Sequence, residues 1–263
     1  MPLAPLPSAF DALELFPAGA RPAVFLDYDG TLTPIVSRPE LATLAPAMRA
    51  VIVALSEVAE VAVVTGRDLD DAIALVGVPG ITIVGSHGFE VERADGERLV
   101  LGGGETYLPA LEAAAMRVER GLRSIAGTHL ERKRFALAVH FRQAPERADE
   151  VVTLLDEAAR DEPGLRLTHG KMVAELRPAA DWHKGRVVVA LTREAPQDTP
   201  IAYLGDDVTD EDAFEALGEF GDAPVTVIVG ERASAPTAAR WALPDVDAVR
   251  RWLQALEQRL RAA

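Results

Sequence analysis

Two short stretches concentrate carboxylates where a chain would otherwise turn. FLDYDGTLTP, residues 25–34, sets Asp27 and Asp29 at the end of an apolar run, just before a glycine and a threonine. GDDVTDED, residues 205–212, brings Asp206, Asp207, Asp210, Glu211 and Asp212 in directly after a second apolar run, IAYL. Each stretch has an ordinary use. Asp27, Asp29 and Gly30 suit a turn whose side chains bond local amides, and acids in the first turn of a helix gain about 0.3 to 1 kcal/mol each from the helix dipole. That gain accounts for one or two carboxylates, whereas several packed together beside Asp27 and Asp29 would repel one another. A divalent cation resolves the conflict. With no cysteine in the chain and no clustered histidine pair, the donors are all oxygen. Hard, octahedral Mg²⁺ fits such a set better than Zn²⁺, particularly where water and a phosphate complete the shell.

Further residues suit an anionic phosphate. Thr65, Gly66 and Arg67 follow the apolar run VAVV and offer a hydroxyl, an unobstructed amide and a guanidinium, all competent phosphate partners. Helix capping by Thr65 or Asp68 accounts for the same letters equally well. Lys184 in DWHKGR can be a solvated surface cation or can offset charge on a phosphoryl group. His87 in GSHG, residues 85–88, can contact a substrate or cap a turn.

These residues need a frame that delivers them to one edge. Ala23 to Asp27, Val61 to Val64, Ile81 to Val84, Ile201 to Leu204 and Val225 to Val229 are short, continuous apolar runs, the pattern of strands buried on both faces of a parallel sheet. Helical patterns at Ala45 to Val58, Leu69 to Val76 and in DEDAFEAL separate them. The prediction is an α/β, doubly wound, mostly parallel sheet, with ligands at the carboxyl ends of its strands. From about Tyr107 to Asp181 the pattern changes to helices (LPALEAAAMRVERGL, ERADEVVTLLDEAARD) and alternating strands (FALAVHFR, LRLTHGKMVAELRP). This predicts a core of residues 1–106 and 182–263, carrying an α+β insertion of residues 107–181 as a small cap. The three-and-four spacing of Val249, Leu253, Leu256 and Leu260 predicts a final helix docked on the core.

Composition limits the partners. The net charge of −14 repels nucleic acid and anionic membranes, so an anionic substrate needs a local cation. A content of 49% hydrophobic and 26% charged residues marks a folded globular chain. The prolines among the first residues and the lack of a basic leading segment do not suggest a secretory signal, and no uncharged apolar stretch approaches a membrane span. A cytoplasmic monomer acting on a small molecule is the expectation.

Taken in order, D27-Y-D-G-T-L, T65-G-R, Lys184 in HKGR, and G205-D-D-V-T-D-E-D-A-F resemble the haloacid dehalogenase superfamily of phosphohydrolases. With GSHG, KRFALAVHFR and HGKMVAELRP added, the sequence is similar to the trehalose-6-phosphate phosphatases. The resemblance implies Asp27 as nucleophile, forming an aspartyl-phosphate, and Asp29 as the acid and base. It further implies Mg²⁺ held by the Asp27 carboxylate, the Asp29 carbonyl and the Asp206 carboxylate, with Asp207 and Asp210 behind them. Thr65 and Lys184 would bind the phosphoryl group, with Gly66, Arg67 and His87 beside the substrate. Lys171, Glu175 and Arg142 of the insertion would recognise the sugar, although strand alternation alone makes the first two ordinary exposed positions. The resemblance leaves other readings: a phosphatase for another sugar or compatible-solute phosphate, a phosphosugar mutase, or a non-catalytic sugar-phosphate sensor.

Overall fold

The computed structural model describes residues 5–36, 41–170, 172–230 and 236–262. In chain order its strands are β1 (Ala23–Leu26), β2 (Glu60–Val64), β3 (Thr82–Gly85), β4 (Glu90–Glu92), β5 (Arg98–Val100), β6 (His129–Lys133), β7 (Ala136–His140), β8 (Leu165–Gly170), β9 (Val173–Pro178), β10 (Ile201–Gly205), β11 (Val225–Val229) and β12 (Trp241–Leu243). The helices are α1 (Pro46–Ser56), α2 (Leu69–Val76), α3 (Leu108–Leu122), α4 (Ala148–Asp161), α5 (Lys184–Glu194), α6 (Val208–Leu217) and α7 (Val246–Arg261). The chain divides into two compact units, Met1–Leu99 with Trp182–Ala263, and Val100–Asp181.

The first unit is built on an eight-stranded sheet in the order β12-β11-β10-β1-β2-β3-β4-β5. The strands from β12 to β3 are parallel, and β4 pairs antiparallel to β3. Strand alternation sorts the apolar runs onto two faces. Val24, Leu26, Val61, Val63, Ala202 and Leu204 enter one cluster with Met48, Ile52 and Leu55 of α1 and with Trp252, Leu253 and Leu256 of α7. On the intervening positions Tyr203 meets Phe214 of α6 edge-on, with ring centroids 5.6 Å apart. The predicted α7 stripe is therefore core. Trp252 is fully buried and donates its indole N–H to the Ala9 carbonyl at 2.8 Å, anchoring a 3₁₀ helix over Ala9–Leu15. Every strand of the parallel part ends at the same edge. Leu26 registers with both Val63 and Leu204, so the residues that follow, Asp27, Thr65 and Asp206, emerge together.

The second unit is an antiparallel sheet in the order β6-β7-β9-β8. Leu137, Val139, Ala174 and Leu176 project from one face into a core with Leu111, Ala115 and Val118 of α3 and Val151 and Leu155 of α4. The expected insertion of residues 107–181 lies within the unit Val100–Asp181, in which the short 3₁₀ helix Gly104–Tyr107 runs directly into α3. Strands β4, β5, β6 and β12 carry no periodicity that predicts them: three span three residues each, and β6, HLERK, is almost wholly polar. Among the described residues no helix is long and apolar enough to cross a membrane.

Candidate active site

Asp27 leaves the sheet bonded into it, its N–H donating to the Leu204 carbonyl at 2.9 Å, and its side chain is buried. Lys184, at the first position of α5, reaches it from the far end of the sequence. Its ammonium donates to Asp27 Oδ1 at 2.6 Å and to Asp210 Oδ1 at 2.8 Å. Asp210 lies in the first turn of α6 and is used on both oxygens. Oδ1 also accepts from the Tyr203 hydroxyl at 2.7 Å, and Oδ2 accepts the Asp206 and Asp207 amides, each at 3.0 Å. Four donors thus make Asp210 the brace of the acidic loop. Asp207 caps α6, accepting from the Val208 amide at 2.6 Å, and forms a capping box with Asp210.

Asp206 is the carboxylate of that loop left for another task. It lies against Gly30, whose φ of +86° favours glycine. A Cβ at Gly30 would overlap the Asp206 carboxylate, so the two acidic loops fit together only because residue 30 has no side chain. Asp27, Asp206 and Asp210 each bring one carboxylate oxygen within 4.8 Å of the others. Of the three, Asp210 is the weakest candidate donor to a cation because its oxygens are already taken.

The charge balance is unfavourable as it stands. One ammonium faces three carboxylates, and like charges in a low-dielectric site raise carboxylate pKa values. Burial pushes Asp27 well up, Lys184 opposes the shift, and Asp210 adds to it. Asp206 is pushed up to about 7 by burial, then by Asp210 and Asp207. Burial acts to lower Lys184, but Asp210 and Asp27 outweigh it and hold the ammonium charged. Oxygen-only donors carrying excess negative charge fit a small, hard divalent cation.

Thr65 is buried and its Oγ1 accepts from the Arg67 amide at 3.3 Å. Gly66 sits under the His87 ring, where a Cβ would overlap the imidazole. His87 and Ser86 both adopt left-handed backbone, at φ 55° and 49°, a conformation that costs about 1 kcal/mol or more for residues with a side chain. Amides at 86 and 87 bond the Arg67 and Thr65 carbonyls at 2.6 and 3.0 Å, so GSHG braces the TGR loop. Arg67 grips Asp29 with two bonds, Nε to Oδ2 at 2.7 Å and Nη2 to Oδ1 at 2.6 Å.

In the second unit Glu175 is buried and clasped by two cations, Lys133 at 3.2 Å and Arg177 through both Nε and Nη2. Burial raises its pKa, but Arg177 and Lys133 together hold the carboxyl below its usual range. Arg142 is exposed just beyond β7, and Lys171 lies outside the described residues. Sequence reasoning passed over Tyr203, Lys133 and Arg177. The tyrosine sits in a buried strand among core residues and gives no signal. Arg177 stands two residues from Glu175 on one strand face, and that spacing was available.

Comparison with known proteins gives a consistent result. Residues 25–247 match the family model described as trehalose-phosphatase. A trehalose-phosphate phosphatase of Mycobacterium bovis is 39% identical over 266 residues, an alignment spanning 98% of this chain and 67% of that protein. A crystal structure of a trehalose-6-phosphate phosphatase related protein superposes with a TM-score of 0.78 at 27% identity, covering 90% of this chain and 97% of the other. The C-terminal domain of a Candida albicans trehalose-6-phosphate phosphatase gives 0.77 at 25% identity, covering 96% and 98%. A haloacid dehalogenase-like hydrolase from Bacteroides thetaiotaomicron, at 13% identity and a TM-score of 0.61 over 89% of this chain and 98% of its own, shares the fold.

Proposed function

This chain belongs to the trehalose-phosphatase family of phosphoric monoester hydrolases, and from that premise we propose that it hydrolyses trehalose 6-phosphate to trehalose and phosphate, as a step of trehalose biosynthesis, through an aspartyl-phosphate on Asp27. The observation that carries the reading is the buried Asp27 carboxylate, fixed by Lys184 at the strand edge where Asp29 and Asp206 also emerge.

Asp27 attacks phosphorus as the bond to the sugar oxygen breaks. Asp29 gives that oxygen its proton, then takes one from the water that hydrolyses the aspartyl-phosphate. Lys184 and the Thr65 hydroxyl receive charge developing on the phosphoryl oxygens. The carboxylates of Asp27 and Asp206 and the carbonyl of Asp29 would hold Mg²⁺, which when bound would supply the positive charge that an anionic nucleophile needs to approach an anionic phosphate. Asp207 and Asp210 set the loop that carries Asp206. Gly66 and His87 contact the substrate. Glu175, Arg142 and Lys171 read the sugar hydroxyls. Cytoplasmic location and a monomeric state complete the proposal, the latter checked by light scattering.

The test is phosphate release from a panel of sugar phosphates with and without Mg²⁺. Trehalose 6-phosphate is expected to be preferred and the reaction to stop when the metal is chelated. A preference of more than about tenfold for another sugar phosphate, a 1.4 kcal/mol difference, defeats the substrate assignment. An isomeric sugar phosphate as product defeats hydrolysis itself, and binding without turnover leaves a sensor.

A further inference from the structure

Resting on the phosphatase reading above, we infer that Arg67 is a positioning residue for Asp29 and not a ligand of the substrate phosphate. The guanidinium fork takes both Asp29 oxygens at 2.7 and 2.6 Å, which fixes the plane of the carboxyl group as well as its direction. The arginine is itself held from three sides. Its guanidinium carbon lies 5.4 Å from the centre of the Tyr28 ring, and the Tyr28 hydroxyl is tied to the Ala42 carbonyl at 2.6 Å. Its backbone is held by Thr65 Oγ1 and, through its own carbonyl, by the Ser86 amide. The strained backbone of Ser86 and His87 gains a purpose here: it seats the residue that aims Asp29.

Asp29 needs this more than Asp27 does. Asp27 is buried and pinned by Lys184, whereas the Asp29 side chain is 42% exposed and Arg67 only 14%. Asp29 also stands at the start of a turn over residues 30–32, beyond the last sheet residue of β1. An exposed carboxyl on a turn samples several rotamers, and proton transfer demands one. Each oxygen bonded once by the fork keeps a second position, which carries the proton when Asp29 acts as the acid and accepts one from water when it acts as the base. The group can therefore face the sugar oxygen while Arg67 holds it from behind.

The role separates by leaving group. Breaking the P–O bond of a sugar phosphate leaves an alkoxide that must take the Asp29 proton as the Asp27–phosphorus bond forms. Breaking that of 4-nitrophenyl phosphate leaves a stable phenolate that needs none. The experiment is first-turnover rapid quench on wild type, Arg67→Gln and Arg67→Lys with both esters, together with inhibition by inorganic phosphate. Acid–base groups contribute about 10²–10⁴-fold, so the sugar-ester to aryl-ester rate ratio is expected to fall by at least about tenfold in Arg67→Gln. The phosphate inhibition constant should move by less than about threefold. Arg67→Lys, which keeps the charge and loses the fork, should recover part of the ratio. Equal losses on both esters with weakened phosphate inhibition would make Arg67 a phosphate ligand and overturn the inference, and an unchanged ratio would overturn it too. If wild type prefers a different sugar phosphate, the substrate assignment fails and the same ratio is read with that ester.

Discussion

Two buried ionic clusters among the described residues are unbalanced in opposite directions. In the first unit one ammonium, Lys184, serves the carboxylates of Asp27 and Asp210, with Asp206 close by. In the second, two cations, Lys133 and Arg177, serve the single carboxylate of Glu175. The first arrangement pushes acid pKa values up, to about 7 for Asp206, and the second holds Glu175 down. A cluster short of positive charge is suited to a metal ion, whereas one with positive charge to spare is suited to acceptors such as sugar hydroxyls. On the proposed function, the difference would assign phosphoryl chemistry to the first cluster and recognition to the second.

Substitutions at the centre of each cluster should therefore behave differently. The largest effect is expected from Asp27→Asn, which should lower phosphate release by at least about 10⁴-fold, as for other nucleophiles. Because it removes one of three crowded carboxylates, the metal-free protein should melt no lower than wild type. A clearly lower melting temperature would mean that Asp27 is not in excess. Lys184→Met leaves the same carboxylates without their cation. It should cost about 3 to 5 kcal/mol of metal-free stability, with activity falling about 10²–10³-fold, as read by chemical denaturation and initial rates.

Glu175→Gln should cost less, about 1.5 to 3 kcal/mol for its charge-assisted bonds. It should lower kcat/KM for the sugar ester while sparing 4-nitrophenyl phosphate, and an equal loss on both would deny the second cluster a role in recognition. The smallest effect is in pH. Asp206 has a raised pKa, so its own contribution to the stability of the metal-free first unit is fully present below its ordinary value of 3.8 and is lost as pH rises through about 7. Mg²⁺ competes with this proton, so its affinity should weaken by about tenfold per unit below that pKa. Titration calorimetry from pH 5 to 8 measures this. Glu175 runs the other way. Its stabilising contribution is present above its ordinary value of 4.5 and fades as pH falls through the depressed value, which hydrogen exchange in β7 and β9 would follow.

The parallel strands were legible because AVFL and, apart from Thr226, VTVIV are apolar, and burial on both faces leaves no polar alternation. Helix α3 was legible because Leu111, Ala115 and Val118 recur at helical spacing above a polar face. β6 was not, since its interior face is a fringe of the sheet and its letters are those of a surface. At the site, the shared edge of Asp27, Thr65 and Asp206 followed from strand ends in register, while Lys184 arrives at the start of α5. What sequence left undetermined was the partner of each side chain. Asp206 and Asp207 are neighbours with the same chemistry, yet the start of α6 turns one into a cap and leaves the other against Gly30. Arg67 has the same letter whether it meets a phosphate or Asp29, and only the geometry of the Tyr28 ring and the GSHG turn selects Asp29.

The origin of Lys184 also sets the order in which the molecule is made. Synthesis runs from the amino end, so Asp27 leaves the ribosome long before the ammonium that neutralises its surroundings, and β1 waits for β10 as its neighbour. All of Val100–Asp181, by contrast, has emerged before Lys184 appears. The second unit is thus free to complete its own core during translation. The edge that carries Asp27 closes only when α5, β10 and α6 arrive, so on the proposed mechanism a truncated nascent chain would be chemically silent until the last acidic loop is in place.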